Sequence, residues 1–386
     1  MKIIHATVGL YPERGGPPVV IANLAAEQAR LGHDVCVVSL PPHSGDVSQL
    51  REMLDSVPGG SAVELHVPSQ RHQMGWLVGR PDVGILPDGN WEVVHIHELW
   101  NPFDYAVSRA AVARQIPYVV TMHGLLSPHR LADRAFKKRV ARALWVDRML
   151  RQAWFVHGLT DFECSSVAAL LPNLPLVQIA NGYSSLLGVN NSHALDGIRA
   201  SLQGRRFILF MGRLHIMKGT DVLIPAFAAL ALDFPDVDLV IAGSDYGQQG
   251  AMESSAAQYD LGHRVHFVGL TVGDTKCWLL QEAAAFLLPS RDEGFSVAIL
   301  EAMSMGAPVI MTPECHFPEA ALAGAAIEVN RHPQAVSNAL RSILSDNELR
   351  TRLSTTGQNF VTETYTWPAI AQRMVCAYKA GGECWA

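Results

Sequence analysis

The chain contains two successive series of short apolar runs. Stretches whose apolar residues recur at helical spacing lie between most of these runs. VCVVSL at residues 35–40 is one such run, and helical spacing at 19–31 precedes it. Near-continuous apolar runs are typical of strands buried on both faces, and strand–helix alternation predicts a parallel sheet with right-handed crossovers. The predicted strands are 2–8, 34–40, 63–67, 93–97, 118–122, 154–157 and 176–179, then 207–211, 238–242, 265–268, 285–288, 308–311 and 326–329. The pattern therefore predicts two doubly wound α/β domains.

A change of composition separates the two series. Residues 183–204 are rich in Ser, Asn and Gly, which is typical of a linker. We expect a first domain at 1–182 and a second at 205–366. Ligands of such folds bind outside the carboxyl ends of the strands, so two domains facing each other would place a ligand cleft between them.

The overall charge and the cysteines narrow the class of protein. Lys and Arg number 30 against 36 Asp and Glu, a net charge of −6 that argues against a generally basic nucleic-acid binder. The six cysteines lack C-x-x-C spacing, which favours reduced thiols in a cytoplasmic protein. We expect no targeting segment and no transmembrane helix, because no apolar run has the length that either requires.

Positive charge follows the first strand of the second series. The segment GRLHIMKG places Gly212, Arg213 and Lys218 between that strand and a helix. Arg can bind phosphate through two parallel hydrogen bonds, and Lys adds a compact charge. The position at a strand end favours phosphate binding over the alternative, two solvated loop charges.

A later strand, loop and helix carry two carboxylates. In FLLPSRDEGFSVAILEAMSMG, Glu293 lies in the loop and Glu301 in the helix. The helix begins near Gly294–Val297, where free N–H groups would face a ligand. The carboxylates suit sugar hydroxyls, although two glutamates at this spacing are commonly surface charges.

Histidines and an Asp pair raise a metal alternative. His95 and His97 alternate on one predicted strand, and His123 ends the next. No H-E-x-x-H motif or Cys/His cluster completes a site, so we expect no metal and take His123 as the better functional candidate. Asp236 and Asp238 precede a strand, at the end away from the expected site, which favours a turn.

Residues 130–154 concentrate eight Lys and Arg with two Asp. Apolar residues recur there at roughly helical spacing, so the segment predicts a basic amphipathic helix. Such a helix can lie on an anionic membrane, or it can be a surface helix with an ordinary core face. Both interpretations stay open at this point.

Taken together, these motifs resemble glycosyltransferase family 4, the retaining GT-B enzymes. The resemblance rests on GRLHIMKG, VHFVGL and EGFSVAILEAMSMG in that order, and covers nearly the whole chain. The first series agrees through its GG turn, VVHIH, TMHG and Asn181-Gly182. HGLLSPHRLADRAFKKRVARALW resembles members that build bacterial exopolysaccharide or O-antigen on a lipid carrier.

The resemblance implies roles for residues. Arg213 and Lys218 would bind the donor diphosphate, Glu293 the donor sugar, Glu301 the ribose, and His123 would touch the sugar near the reacting carbon. The implied donor-binding residues are Gly16, Gly212, Arg213, Lys218, Leu270, Glu293, Gly294, Phe295, Ser296, Val297 and Glu301. Ser296 stands where the family often has Gly or Pro, which leaves a backbone role intact. The segment 367–386 would cross back to the first domain as a helix.

The implied function is retaining transfer of a hexose, mannose first, from a nucleotide-diphosphate sugar to a glycan or lipid-linked acceptor. Metal and cofactor are expected to be absent, because Arg213, Lys218 and a helix N-terminus can stabilise the leaving phosphate. The alternatives are a UDP-hexose-dependent transferase with a small acceptor, an epimerase or phosphorylase on the same fold, a metal-dependent hydrolase using His95, His97 and His123, and a non-catalytic donor-binding protein.

Overall fold

The computed structural model describes residues 1–11, 16–42, 45–68, 73–78, 84–183 and 192–381. The chain forms two compact units, Met1–Gly182 with Trp367–Ala386 and Tyr183–Thr366. Each unit contains one parallel sheet, of seven strands in the first and six in the second. The predicted α/β class with two doubly wound sheets is confirmed.

The first unit alternates strands and helices. Its elements are β1 Lys2–Thr7, α1 Gly16–Arg30, β2 Asp34–Ser39, α2 Ser48–Asp55, β3 Glu64–His66, α3 Gln73–Val78, β4 Val93–His97, α4 Pro102–Ala113, β5 Tyr118–Thr121, α5 Pro128–Ala132, α6 Ala135–Ala141, α7 Asp147–Gln152, β6 Phe155–Gly158, α8 Asp161–Leu170 and β7 Leu176–Gln178. The strand order is β3-β2-β1-β4-β5-β6-β7. The order reverses between β1 and β4, and ligands bind at such switch points.

Burial on both faces explains these strands. Successive side chains of β1 and β4 pack into two different apolar clusters. Ile4 and Val94 belong to the cluster on one face of the sheet, and Ile3 and Val93 belong to the cluster on the other. This alternation follows from the twofold period of a strand. His5 and Thr7 of β1, and His95 and His97 of β4, therefore share the face that carries Ile3.

The second unit repeats the pattern. Its elements are α9 Ser192–Leu202, β8 Arg206–Met211, α10 Thr220–Ala228, β9 Val237–Ala242, α11 Gln249–Gln258, β10 Val265–Gly269, α12 Gly273–Glu282, β11 Ala285–Leu288, α13 Val297–Ser304, β12 Val309–Met311, α14 Pro318–Leu322, β13 Ala326–Glu328, α15 Pro333–Ser345 and α16 Asn347–Thr364. The strand order is β10-β9-β8-β11-β12-β13. Its switch point lies between β8 and β11.

The predicted linker at 183–204 is wrong for residues 192–202, which form helix α9. Leu195 and Leu202 are buried and, with Ile198, recur at helical spacing, so this stretch packs as part of the second unit. The Ser and Gly content concealed that period. Residues 184–191 lie outside the described part of the chain.

The last helix, α17 (Trp367–Ala380), belongs to the first unit, as the resemblance implies. Ile370, Met374 and Tyr378 are buried in the cluster that α1 also contributes to. A Cβ on Gly182 would lie 2.6 Å from the Trp367 ring, so a glycine there lets the indole pack on the backbone.

The basic segment 130–154 is not one helix. The chain is extended at Asp133, and Arg134 adopts a left-handed conformation with φ of 50° that separates α5 from α6. From α6 the helix continues through a π-helical turn at Arg142–Val146 into α7. Across the described ranges, the helices lack the combined length and apolar character needed to cross a bilayer.

Candidate active site

Gly219 brings two loops together at the switch point of the second sheet. Its φ is 70°, and a Cβ there would lie 1.8 Å from the Pro289 carbonyl oxygen. Only glycine combines this conformation with so close an approach. The loop after β8 therefore packs directly on the loop after β11, and the cation of one loop meets the carboxylate of the other.

Lys218 and Glu293 form that contact. Lys218 Nζ lies 2.6 Å and 2.8 Å from the two carboxylate oxygens, and the Ser290 hydroxyl donates to Glu293 Oε1 at 2.5 Å. The Glu293 side chain is only 8 % exposed. The structure thus unites two residues that the motifs predicted separately, and adds Ser290, which carried no motif signal.

Arg213 stands apart from that ion pair. Its side chain is exposed, and its guanidinium lies 5.5 Å from the centroid of the Tyr246 ring. Gly212 precedes it, and a Cβ on Gly243 would lie 1.8 Å from the Gly212 carbonyl oxygen. The strand ends therefore approach closely, and Arg213 remains a cation that faces solvent over an aromatic ring.

Glu301, eight residues after Glu293, lies in α13 and has its own cation. Lys276 Nζ on α12 lies 2.6 Å from Glu301 Oε1. Leu270 lies at the end of β10, three residues before α12 begins, and is 73 % exposed. An exposed leucine and a charged pair in the same unit suit a ligand with one planar apolar part and one hydroxylated part.

The N-terminus of α13 supplies backbone donors. Ser296 is its N-cap residue and makes no side-chain capping bond, and the first N–H groups of a helix have no partner within the helix. Gly294 and Val297 flank this turn and are partly exposed. Phe295 packs edge-on against Phe317, with ring centroids 5.4 Å apart. These donors favour an anion.

In the first unit, His123 lies in the loop after β5 with a φ of 50°. Gly124 N donates to Glu163 Oε1 at 2.5 Å, and Leu159 N donates to Glu163 Oε2 at 2.7 Å. Burial raises the pKa of Glu163 to about 7 despite these bonds. Glu163, which no motif singled out, thus fixes the loop that carries His123.

Gly16 begins α1, and a Cβ there would meet no atom within 4 Å. Among the described residues, none obstructs the predicted approach of a ligand at this position. Gly15, the other glycine of that turn, lies outside the described residues.

The histidines of the first sheet form a hydrogen-bonded group. His5 Nδ1 lies 2.9 Å from His97 Nε2, and His97 Nδ1 lies 3.1 Å from His123 Nε2. His5, His95 and His97 also bring one ring nitrogen each within 4.8 Å of one another, as metal ligands could. Hydrogen bonds to protein atoms occupy every ring nitrogen of these three, so the cluster is satisfied without an ion. His5 was not among the predicted residues.

Asp236 and Asp238 pair with basic side chains of the second unit. Asp238 is 2 % exposed, and its carboxylate pairs with Arg205 at 2.9 Å and with His266 at 2.8 Å. Asp236 pairs with Arg206 at 2.7 Å. Asp236 lies in the turn before β9, as predicted, whereas Asp238 is the second residue of that strand.

A cavity of about 410 Å³ opens in the first unit near the switch point. Its lining residues follow β1, β4 and β5 or belong to the π-helical turn: Val8, Glu98, Trp100, Asn101, Pro102, Leu125 and Trp145. Trp145 Nε1 donates to the Leu99 carbonyl at 3.3 Å, which fixes one indole. Two indoles with a carboxylate and an amide combine apolar faces with hydroxyl-binding groups.

Comparisons with known proteins agree with this geometry. A model described as "Glycosyl transferase 4-like domain" matches residues 15–182, and one described as "Glycosyl transferases group 1" matches residues 195–360. The GDP-mannose:cellobiosyl-diphosphopolyprenol alpha-mannosyltransferase of Xanthomonas campestris is 24% identical, over 98% of this chain and 97% of that protein. The phosphatidyl-myo-inositol mannosyltransferase of Mycolicibacterium smegmatis is 26% identical, over 95% of this chain and 90% of its own length.

Solved structures share the fold. The Anabaena protein HepE in complex with UDP and glucose superposes with a TM-score of 0.72 and 18% identity, over 98% of this chain and 99% of that one. Two family models, one on each unit, leave only short segments unmatched. The chain belongs to glycosyltransferase family 4 and has the two-domain α/β GT-B fold.

Proposed function

We propose that the protein transfers a hexose from a nucleotide-diphosphate sugar to a hydroxyl of a glycan or lipid-linked acceptor, with retention of anomeric configuration. The observation that carries this proposal is the meeting of Lys218, Glu293 and the α13 N-terminus at one edge of the second sheet. Similarity to two mannosyltransferases supports mannose as the first candidate sugar. The UDP complex of the structural neighbour keeps UDP-hexoses as the alternative.

The proposed reaction uses charge stabilisation. The bond between the anomeric carbon and the phosphate oxygen breaks while a bond to the acceptor oxygen forms on the same face. The departing phosphate takes the acceptor proton, so no separate carboxylate base is needed. Arg213, Lys218 and the first N–H groups of α13 stabilise the negative charge that develops on the leaving group.

Glu293 and Glu301 serve the donor's hydroxyls in this proposal. Glu293 holds the sugar and is itself oriented by Ser290 and Lys218, while Glu301 holds the ribose and is oriented by Lys276. Leu270 packs on the base. We assign His123 to the sugar and Gly16 to backbone contact on the family resemblance.

We assign the acceptor to the cavity of about 410 Å³ in the first unit. Trp100 and Trp145 offer apolar ring faces for the carbon face of a sugar, and Glu98 and Asn101 offer acceptors for its hydroxyls. This composition supports a carbohydrate acceptor.

We also propose that α6 and the following π-helical turn touch an anionic membrane. Phe136, Val140 and Leu144 recur every four residues and are 72%, 42% and 62% exposed. Lys137 and Arg139 are exposed beside them. Apolar and basic side chains together on an outer face are typical of helices that lie in a lipid interface.

Two cations of this segment have partners within the protein instead. Lys138 Nζ donates to the Arg130 carbonyl and lies 5.5 Å from the centroid of the Trp100 ring. Arg142 pairs with Asp147 at 2.8 Å. Six exposed cations of the segment remain, and we assign Lys137, Arg139 and Arg148 among them to the membrane face.

A nucleotide-release assay over a panel of GDP-, UDP- and ADP-sugars tests the proposed function. We expect release with one class of donor, GDP-mannose first. Absence of release with every donor, by folded protein supplied with glycan and lipid-linked acceptors, would refute the assignment as a transferase.

A further inference from the structure

A line of buried polar side chains runs from α1 to His123. Gln28 Oε1 lies 2.7 Å from His5 Nε2, His5 Nδ1 lies 2.9 Å from His97 Nε2, and His97 Nδ1 lies 3.1 Å from His123 Nε2. Gln28, His5 and His97 are at most 1% exposed. Buried polar groups cost stability unless they are satisfied, so each of these contacts constrains where hydrogens lie.

A second line runs beside the first. The Ile179 carbonyl lies 2.7 Å from His157 Nε2, and His157 Nδ1 lies 2.7 Å from Thr121 Oγ1. Thr121 Oγ1 in turn contacts His95 Nε2, and His95 Nδ1 lies 2.6 Å from the Tyr378 hydroxyl. The two lines lie on the sheet face that α1 and α17 cover, across β1, β4, β5 and β6.

The carbonyl of Ile179 sets the direction of the second line. A carbonyl only accepts, so His157 Nε2 carries hydrogen. Burial lowers the pKa of His157 to about 4, so the ring is neutral and its Nδ1 accepts from the Thr121 hydroxyl. Thr121 Oγ1 then accepts from His95 Nε2, and the pKa of His95 is also lowered by burial. His95 Nδ1 therefore accepts the hydrogen of the Tyr378 hydroxyl.

Tyr378 joins the second line to the first. Its only hydrogen goes to His95, so its oxygen can only accept from any other neighbour. Gln28 Nε2 makes no conventional hydrogen bond to a described atom, but burial raises the pKa of Tyr378 and the Gln28 side chain opposes that rise. Gln28 Oε1 lies 2.7 Å from His5 Nε2, and the reverse orientation would set that oxygen against the Tyr378 oxygen, which has no hydrogen left to donate. The amide nitrogen therefore faces Tyr378, and Oε1 faces His5.

The orientation of the Gln28 amide sets the direction of the hydrogen bonds in the first line. His5 Nε2 donates to Gln28 Oε1, so neutral His5 accepts at Nδ1 from His97 Nε2. Neutral His97 then accepts at Nδ1 from His123 Nε2. Were the Gln28 amide reversed, every hydrogen in this line would point the other way, and His123 would carry its hydrogen on Nδ1.

We propose that Gln28 and Tyr378 are positioning residues that hold His123 in the tautomer with hydrogen on Nε2, so that Nδ1 acts only as a hydrogen-bond acceptor. This inference rests on the proposed function for the one further step that a hydroxyl of the donor sugar is the group that donates to Nδ1. His123 is then neither a general acid nor a cation in the reaction. A histidine's tautomer is set by the partner of its other nitrogen, and here that control extends over three rings.

Nitrogen-15 NMR of the histidine rings tests the tautomer without any substrate. In wild-type protein we expect His123 Nε2 to be protonated and Nδ1 to be bare at neutral pH. Tyr378→Phe removes one oxygen, and Gln28→Met removes the amide at similar length; both should give His123 a mixture of tautomers. Ser108→Ala removes a buried hydroxyl of the same unit that bonds the Tyr105 carbonyl at 2.8 Å, and should leave the His123 signal unchanged.

Kinetics supply the second readout. Each variant should lose about 10–100-fold in kcat, the range for removing a partner that orients a functional histidine, with KM for the donor changed far less. A wild-type His123 protonated on Nδ1 would overturn the proposal, as would unchanged tautomer and kcat in folded Tyr378→Phe and Gln28→Met. Absence of nucleotide release in wild-type protein would instead refute the proposed function and leave the tautomer measurement valid.

Discussion

At the scale of residues, the contact between Lys218 and Glu293 would link the phosphate end of the proposed donor site to its sugar end. The cation that would neutralise phosphate is held 2.6 Å from the carboxylate that would hold sugar hydroxyls. Each therefore orients the other before substrate binds, which is the preorganisation that charge stabilisation requires. Arg213 lacks such an ion pair among the described residues and is the freer of the two cations.

Arg213→Ala is accordingly the cleaner test of diphosphate stabilisation. Loss of one preorganised donor typically costs about 2.7–4 kcal/mol, or about 10²–10³ in rate, and we expect turnover to fall by that factor. Lys218→Ala should lose at least as much, because it also leaves Glu293 buried without its cation. Steady-state nucleotide release measures both.

The control for these variants is Arg341→Ala, which removes an exposed arginine paired with Asp233 in the same unit. It should turn over as wild type does. Near-normal turnover of folded Arg213→Ala and Lys218→Ala would remove both residues from the site.

Sequence reasoning identified candidate residues that lie at strand ends within recognisable motifs, such as Arg213 and Glu293, and their role in a site stays a prediction. It did not reach Lys276, Glu163, Gln28 or Tyr378. Tyr378 is 283 positions from His95, its hydrogen-bond partner, and spacing along a chain does not specify contacts made by packing. The close pairing of Lys218 with Glu293 was hidden for the same reason.

At the scale of elements, Gly219 decides how the loop after β8 meets the loop after β11. Gly219→Ala should lower the free energy of unfolding of the second unit by at least about 1–3 kcal/mol, because alanine resists positive φ and the Pro289 carbonyl must move. Gly250→Ala in α11 is the matched control: its Cβ would meet nothing within 4 Å, and it should stabilise by about 0.4–1 kcal/mol. Urea denaturation compares them, and equal effects would show that the loop contact is not as tight as described.

The basic segment shows where element-scale prediction failed. Its composition indicates an amphipathic helix, but Val146, Met149 and Leu150 turn into the core while Phe136, Val140 and Leu144 face outward. The break at Arg134 and the π-helical turn change which side chains of the segment face the core. A prediction that assumes a regular period of 3.6 residues includes neither feature.

Membrane binding is therefore best tested on the outward face. Wild-type protein should bind anionic liposomes and not neutral ones, and the binding should weaken with salt because exposed charges are screened. Lys137→Gln with Arg139→Gln and Arg148→Gln should abolish it, since each cation near such a surface contributes about 1 kcal/mol. Co-sedimentation measures binding.

Leu144→Ala with Phe136→Ala should also weaken liposome binding, by removing the apolar part of the face. Arg350→Gln with Arg352→Gln, on α16 of the other unit, is the charge control and should bind as wild type does. Binding unchanged in the Lys137, Arg139 and Arg148 variant would identify α6 as an ordinary surface helix.

At the scale of the whole molecule, strand–helix alternation was sufficient to predict both sheets. Each predicted strand is present, with its ends displaced by at most one residue, because burial on both faces leaves near-continuous apolar runs. Helix α9, within the predicted linker, was not predicted because its helical period lies within a polar, Gly-containing composition. The sequence shows a glycine at position 219, but it does not show that Gly219 adopts a positive φ or packs against the Pro289 carbonyl.

Metal independence is a prediction about the whole reaction. In the proposed reaction Arg213 and Lys218 supply the positive charge at the phosphates, and arginines and a histidine already pair with Asp236 and Asp238. Nucleotide release should therefore survive EDTA. Loss of release with EDTA, restored by a divalent ion, would contradict metal independence and would make the cluster of His5, His95 and His97 the candidate metal site.

Retention during transfer is the central claim, and NMR of the freshly released sugar tests it most directly. Donor of α configuration is incubated with the protein, and the anomeric proton of the first sugar formed, by transfer or by hydrolysis, is observed before mutarotation while nucleotide release is followed in the same tube. We expect the first product to be the α anomer, formed in step with the nucleoside diphosphate. A β anomer as first product would contradict attack from the leaving-group face, and absence of both signals with every donor would contradict the transferase itself.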